Sequence, residues 1–240
     1  MKTFSKSIIT PLLLAVTLLA ACNKNNHSNT TNPPSATSQL TFQLAAVNSA
    51  DSTGAPVDSV PSIAGLVWSA GTANIGKFNF EARRSGVSIN IQSRNLTNVD
   101  LFALTPLVTY VTLDTGVYKQ IQISAFLQGS NNDSIPPLKL SGSFTNDSSK
   151  VVPITFTLTE DAVVQVGASN IDINGTTDYT ALLDMQLNKV TKGITAADLN
   201  KAKLTGGSIV ISKSSNSQLY YKMRANIAGC GRSFFRFHHR

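Results

Sequence analysis

Apolar and polar residues alternate in short runs along most of this chain. From Ile121 to Leu127 the odd positions are apolar and the even ones polar, apart from Phe126. A period of two puts one face of a strand against a core. Leu40–Val47, Ile63–Ala70, Ile75–Ala82, Val87–Ile91 and Leu107–Leu113 have strand length and composition, and Pro136–Phe144, Val151–Leu158, Val163–Val166, Ala181–Leu187 and Ser208–Ile211 continue the pattern. Turn residues separate these runs. Pro153 lacks an amide hydrogen, so its strand must have an edge or a bulge there. Gly116-x-Tyr118 reads as a tight turn feeding a strand, and Asp100-Leu101-Phe102 as a strand buried on one side.

A helical period appears only late in the chain. Thr195-Ala196-Ala197-Asp198 has the spacing of a capping box, and Gly206-Gly207 ends the segment. From about Ser217 to Ala228, Leu219, Tyr220, Met223 and Ile227 fall on one face as a buried stripe. The whole pattern predicts a mainly β fold, an antiparallel β-sandwich of immunoglobulin-like or transthyretin-like kind, with short helices near the C-terminus. No repeat of 20–50 residues breaks the body into units.

The first 22 residues follow a different logic. Lys2 and Lys6 precede an apolar stretch from Ile8 to Leu19, which is followed by Ala20, Ala21 and Cys22. This order reads as a bacterial lipoprotein signal, with residues 1–21 removed and Cys22 acylated, palmitate included. The stretch falls short of the roughly 20 apolar residues that cross a bilayer. Residues 22–39, rich in Asn, Ser, Thr and Pro, then read as a lipidated cysteine and flexible tether. Residues 40–228 are the expected sandwich domain, and 229–240 a basic aromatic tail dispensable for folding. Asn23 is not the aspartate associated with inner-membrane retention, and Lys24-Asn25-Asn26 lacks an acidic export cluster. The outer membrane is therefore expected, with the periplasmic face favoured over the cell surface.

Charge changes this picture little. The chain carries 20 basic and 13 acidic residues, but without Lys2 and Lys6 and the three tail arginines the basic count drops to 15. The body is nearly neutral, with no basic stripe carrying interleaved aromatics, so nucleic acid is not an expected partner. If Cys22 is acylated, Cys230 is left alone, and stability must come from packing.

Catalytic signatures are sparse. Gly71-Thr72-Ala73-Asn74-Ile75-Gly76-Lys77-Phe78 resembles a phosphate-binding loop until Phe78 stands where a hydroxyl should hold magnesium, and a hairpin turn is the simpler reading. The histidines are His27, His238 and His239, so the body has none for a nucleophile and base pair. Cys230 with His238 and His239 offers metal ligands on a tail. Glu81 and Glu160 are the only glutamates, and Glu160-Asp161 with Asp172 or Asp178 could flank a sugar cleft. Asp172, Asn174 and Asp178 start like a calcium loop that lacks its later glutamate. No cofactor is implied.

Several phrases together resemble a family. Trp68-Ser69-Ala70-Gly71, Ala73-Asn74, Phe80-Glu81-Ala82, Val99–Leu104 and Gly116–Ile121 are similar to the core pattern of Gram-negative lipoprotein domains of unknown function, over about Leu40 to Ile227. The resemblance implies one lipid-anchored β-sandwich with no established activity. The expected function is a non-catalytic cell-envelope binding or structural domain, with the membrane as partner through its anchor and a carbohydrate or protein as ligand. Two alternatives stand beside it. One is an adhesin or pilus-type subunit using strand addition through Val117–Leu127 if that strand lay at an edge. The other is a carbohydrate-processing enzyme using paired carboxylates.

Overall fold

Alternation along the first strand seats Leu40, Phe42, Leu44 and Ala46 in the core, while Gln39, Thr41 and Gln43 face away. A computed structural model describes residues 36–48, 62–93, 95–103, 108–129 and 135–239. The proposed acylation site Cys22 and the signal and most of the tether lie outside the described residues. The strands are β1 (Thr37–Val47), β2 (Leu66–Arg84), β3 (Val87–Gln92), β4 (Leu96–Asp100), β5 (Val108–Asp114), β6 (Gly116–Leu127) and β7 (Leu138–Thr145), followed by β8 (Val151–Leu158), β9 (Ala162–Ala168), β10 (Ile171–Ile173) and β11 (Thr177–Gln186). Two short helices, α1 (Leu187–Val190) and α2 (Ala196–Asn200), precede β12 (Leu204–Thr205), β13 (Ser208–Ile211), helix α3 (Ser217–Asn226), a tight turn at Ile227–Gly229 and β14 (Gly231–His239).

These elements form two packed sheets. The smaller has the order β14-β11-β1-β5, and the larger runs β10-β6-β2-β7-β8-β13-β12, with β3 and β4 also on β2 and β9 on β6. Most neighbours are antiparallel, as expected, but β1 with β11 and β8 with β13 are parallel. Aromatic rings join the layers. Phe42 of the smaller sheet stacks on Phe78 of the larger at 5.6 Å, and Phe80 meets both Phe42 and Tyr118. Full burial of such side chains contributes roughly 1.5–3 kcal/mol each.

β2 is the spine of the larger sheet. Its first half pairs with β7 and its second with β6, on the same edge, while β4 and β3 follow one another along the opposite edge. The stretch Gly71–Phe78, expected as a hairpin turn, therefore continues as strand. Register shifts at Ala73–Ile75 and Ile75–Lys77 bend it there. The two apolar runs Ile63–Ala70 and Ile75–Ala82 become one strand because backbone pairing continues through the polar residues between them.

The expected helix starts hold, but Gly206-Gly207 does not end α2, which stops at Asn200; the two glycines, both at positive φ, turn the β12–β13 hairpin instead. Thr195 caps α2 with the reciprocal Asp198 bonds of a capping box. Leu219, Tyr220, Met223 and Ile227 are buried, and Tyr220 packs on Phe156 of β8. Pro153 sits one residue before the β8–β13 pairing begins at Ile154, so the strand does have an edge there.

Both expected boundaries of the domain move outward. Thr37, Ser38 and Gln39, assigned to the tether, pair with Asp114, Leu113 and Thr112 of β5. The expected tail, residues 229–240, contributes β14, which pairs with β11 from Gly231 opposite Met185 to His239 opposite Thr177. Phe235 and Phe237 share one face of this strand, and Arg232, Phe234 and Arg236 the other. Phe235 packs against the core and Cys230 is fully buried. At Gly231 β14 passes so close to β9 that a Cβ would collide with Val166. The reading of Val117–Leu127 as a free edge also fails, because β6 has β2 on one side and β9 and β10 on the other.

Deleting Gly231–Arg240 should thus destabilise the fold by at least about 3 kcal/mol, since it strips an edge strand and leaves the buried Asp184 without its arginine. Urea unfolding of the truncated and complete chains measures this. A loss below about 1 kcal/mol would mean that β14 adds nothing to the core.

Candidate binding clefts

Where β6 and β7 part from β2, the backbone must be satisfied by something other than a ladder. Asn74 does this from a site only 5 % exposed. Its Nδ2 donates to the Pro136 carbonyl at 2.7 Å, and its Oδ1 accepts from the Asn98 amide at 2.8 Å. Its backbone amide donates to Pro137, and its carbonyl accepts from Gln128. One residue thus ties together β2, the middle of β4 and both sides of the β6–β7 connection.

Three clefts surround this fork. The first, about 390 Å³, is lined by Asn74, Gly76, Asn95, Thr97 and Gln128 with the apolar Ile75 and Leu96. The second, about 380 Å³, shares Gly76 and Gln128 and adds Lys77, whose ammonium lies 4.6 Å from the Phe126 ring centre. The third, about 550 Å³, shares Gly129 and Ile135 with the first and reaches Thr157, Thr159, Glu160 and Lys213. The absence of a side chain at Gly76 lets the Gln128 amide oxygen lie against the β2 backbone, and a Cβ there would push that amide aside. Asn95, Thr97 and Gln128 are exposed, so amide and hydroxyl groups face the solvent.

The expected acids do not meet as a catalytic pair. Glu81 accepts from Asn79 at 2.7 Å and from Asn90 at 3.4 Å, on the β2–β3 face. Glu160 is held by Lys213 at 3.0 Å and by Arg224. The Lys213 hydrogen bond is the chief reason its carboxyl lies below the usual range, which suits an anion and not a proton donor. Asp161 is bound up with the Gly129 amide. Among the described residues, each of the three clefts has at most one carboxylate on its walls.

The calcium-like segment is arranged as a turn. Asn174 Oδ1 accepts from the amides of Thr176 and Thr177 and the Thr176 hydroxyl, and Asp178 Oδ1 from the Gln39 amide. Asp172 lies exposed on β10. Among the described residues, no three His, Cys, Asp or Glu side chains gather as metal ligands. Cys230 cannot join His238 and His239, since β14 separates them by roughly 25 Å of extended chain. Burial pushes the Cys230 thiol up to about 12, so it is inert. His27 lies outside the described residues.

One charged pair escaped sequence reading because its partners are 48 residues apart. Asp184, 5 % exposed on β11, faces Arg232 of β14 at 3.6 Å. Burial raises its carboxyl above the ordinary value, and the guanidinium offsets this in part. Asn74 and Gln128 were equally hidden: nothing in the local sequence marks an asparagine as a clamp at a branching strand.

Asn74→Ala should cost about 2–4 kcal/mol, because it leaves the Pro136 carbonyl and Asn98 amide unpaired near the core; a loss under 1 kcal/mol in denaturant melts would show that water replaces it. Asp184 makes stability depend on pH. Its raised folded value means that the folded state holds the proton more tightly than the unfolded one. Its contribution is therefore greatest below the unfolded value near 4 and declines as pH rises through the folded value. Melts of the Asp184→Asn variant should lack this component, and an identical pH profile would remove Asp184 as its source.

Among the proteins of known family, the curated proteins and the solved structures, none matches this chain.

Proposed function

We propose that this chain is a lipid-anchored envelope protein whose sandwich, immunoglobulin-like or transthyretin-like in kind, binds a polar uncharged ligand without catalysis. A carbohydrate is the ligand class that best matches the clefts. The observation that carries this reading is the ring of adjoining clefts at the β2 fork, where exposed amides and a hydroxyl converge without a pair of carboxylates. Such groups exchange hydrogen bonds with sugar hydroxyls, and the half-buried Leu96 and Phe126 offer contact to a ring face. The antiparallel neighbours of β2, β6, β7 and β8 support the sandwich reading. Anchoring is supported by the run from Lys2 to Cys22, and the residues after it support an outer-membrane address facing the periplasm.

The test has two arms. Calorimetric titration with a panel of envelope oligosaccharides should give binding that Gln128→Ala or Asn95→Ala weakens by about fivefold, the value of one neutral hydrogen bond. No heat at millimolar sugar would remove the carbohydrate reading. Labelling with a palmitate analogue should tag the parent and not Cys22→Ala, and a tagged variant would remove the anchor.

A further inference from the structure

The end of the domain from which the chain runs back to Cys22 differs from the rest of its surface. Ala36, the first described residue, accepts from the Thr115 amide through its carbonyl, so the chain enters beside the β5–β6 turn. The same end holds the β2–β3 hairpin tip at Ser85 and Gly86, the start of β6, β10 and the last residues of β14. Arg83 stands opposite Lys119 across the β2–β6 pair. Two cations in that position repel one another. Neither is paired with a described acid. They line a depression of about 520 Å³ with Ser85, Gly86, Val117 and Gln120.

Apolar side chains at this end are left in water. Val87 is 62 % exposed, Val117 46 % and Phe237 63 %. Phe237 and Val117 are connected through the fold: Phe237 meets Tyr179 edge-on at 5.5 Å, Tyr179 donates its hydroxyl hydrogen to the Asp172 carbonyl, and Asp172 pairs with Val117. Arg236 adds an exposed cation on β14. The acids nearby are Asp114, neutralised by Arg84 at 2.9 Å, Asp178, which accepts from the Gln39 amide, and Asp172. Arg83, Lys119 and Arg236 are thus cations at this end with no ion pair among the described residues, and they outnumber the one acid, Asp172, that is likewise unpaired.

We infer that this end of the domain docks on an anionic lipid surface, with Arg83 and Lys119 on lipid phosphates and Val87, Val117 and Phe237 entering the headgroup layer. The inference rests on the lipid-anchor reading, because acylation at Cys22 is what brings the bilayer near. Thirteen residues separate Cys22 from Ala36, and the fourteen steps between them can span at most about 50 Å, so the end that carries Ala36 is the one through which the anchor acts. Charge and position agree. A cation near an anionic surface strengthens binding by roughly fivefold, and a high effective concentration lets a few such contacts suffice.

The lipidated protein, reconstituted on phosphatidylcholine vesicles with and without phosphatidylglycerol, tests this by hydrogen exchange and flotation. On anionic vesicles, amides of residues 83–87, 116–120 and 235–239 should exchange more slowly than on neutral ones. Raising salt from 0.15 M to 1 M, which shortens screening from about 8 Å to about 3 Å, should reverse the difference. Arg83→Gln with Lys119→Gln should reduce the protection by about 25-fold while the protein still floats with the vesicles. Flotation without any protection at these residues overturns the docking and leaves the anchor standing. Protein that does not float at all overturns the anchor and the docking with it.

Discussion

Asn74 resolves a geometric conflict that the larger sheet cannot avoid. A strand of 19 residues is shared by two sets of neighbours on one edge, β7 and then β6, and where those neighbours diverge the backbone groups have no ladder partner. Buried polar groups left unpaired cost about 1–3 kcal/mol each. Asn74 meets the requirement with both ends of its amide and both of its own backbone groups. The position of β4, the course of residues 128–137 and the clefts around them all follow from this one clamp. An aspartate would lose the donor to Pro136, and a leucine would lose both bonds.

A different constraint governs the smaller sheet. β11 is buried along almost its whole length, so it reads as a central strand, and its neighbours β1 and β14 come from the two ends of the described chain. On one face Tyr179, Ala181, Leu183 and Met185 meet the core, while on the other Asp184 is buried against Arg232. A buried ion pair adds little stability over an apolar pair of equal volume, but breaking it is costly. It fixes register instead. Sliding β14 by one residue would carry Arg232 to the core face and leave Asp184 without a partner.

Period-two alternation was enough to locate most strands, because a strand with one face buried has no other way to satisfy its side chains. It marked the course of β1, β3, β5, β6, β7 and β8 within a few residues. It failed where tertiary context decides. β2 looks like two strands, since Gly71–Asn74 is polar and glycine-containing, and only pairing to β4 and β7 shows the continuity. β14 looks like a tail, since arginines stand between its phenylalanines, and only β11 supplies the other half of the pattern. The chemistry of the clefts is less legible still. Asn95 and Gln128 are separated by 33 residues and meet solely because the β2 fork brings their loops to one place.

The pairing of β1 with β11 has a kinetic side. Leu40 lies opposite Tyr179, and Phe237 opposite Tyr179 on the other edge, so the smaller sheet is woven from segments that leave the ribosome far apart in time. The larger sheet from β2 to β9 is joined mostly by near neighbours in sequence, and it can organise from a partly made chain. Contacts over such long separations require loop closure before they give anything back, which slows them. Phe42 can cover Phe78 and Phe80 once β1 lies beside β5, but the other edge of β1 stays open until β11, which follows most of the larger sheet, is available. In this protein the arrival of β11 is the clock that determines when that edge can close.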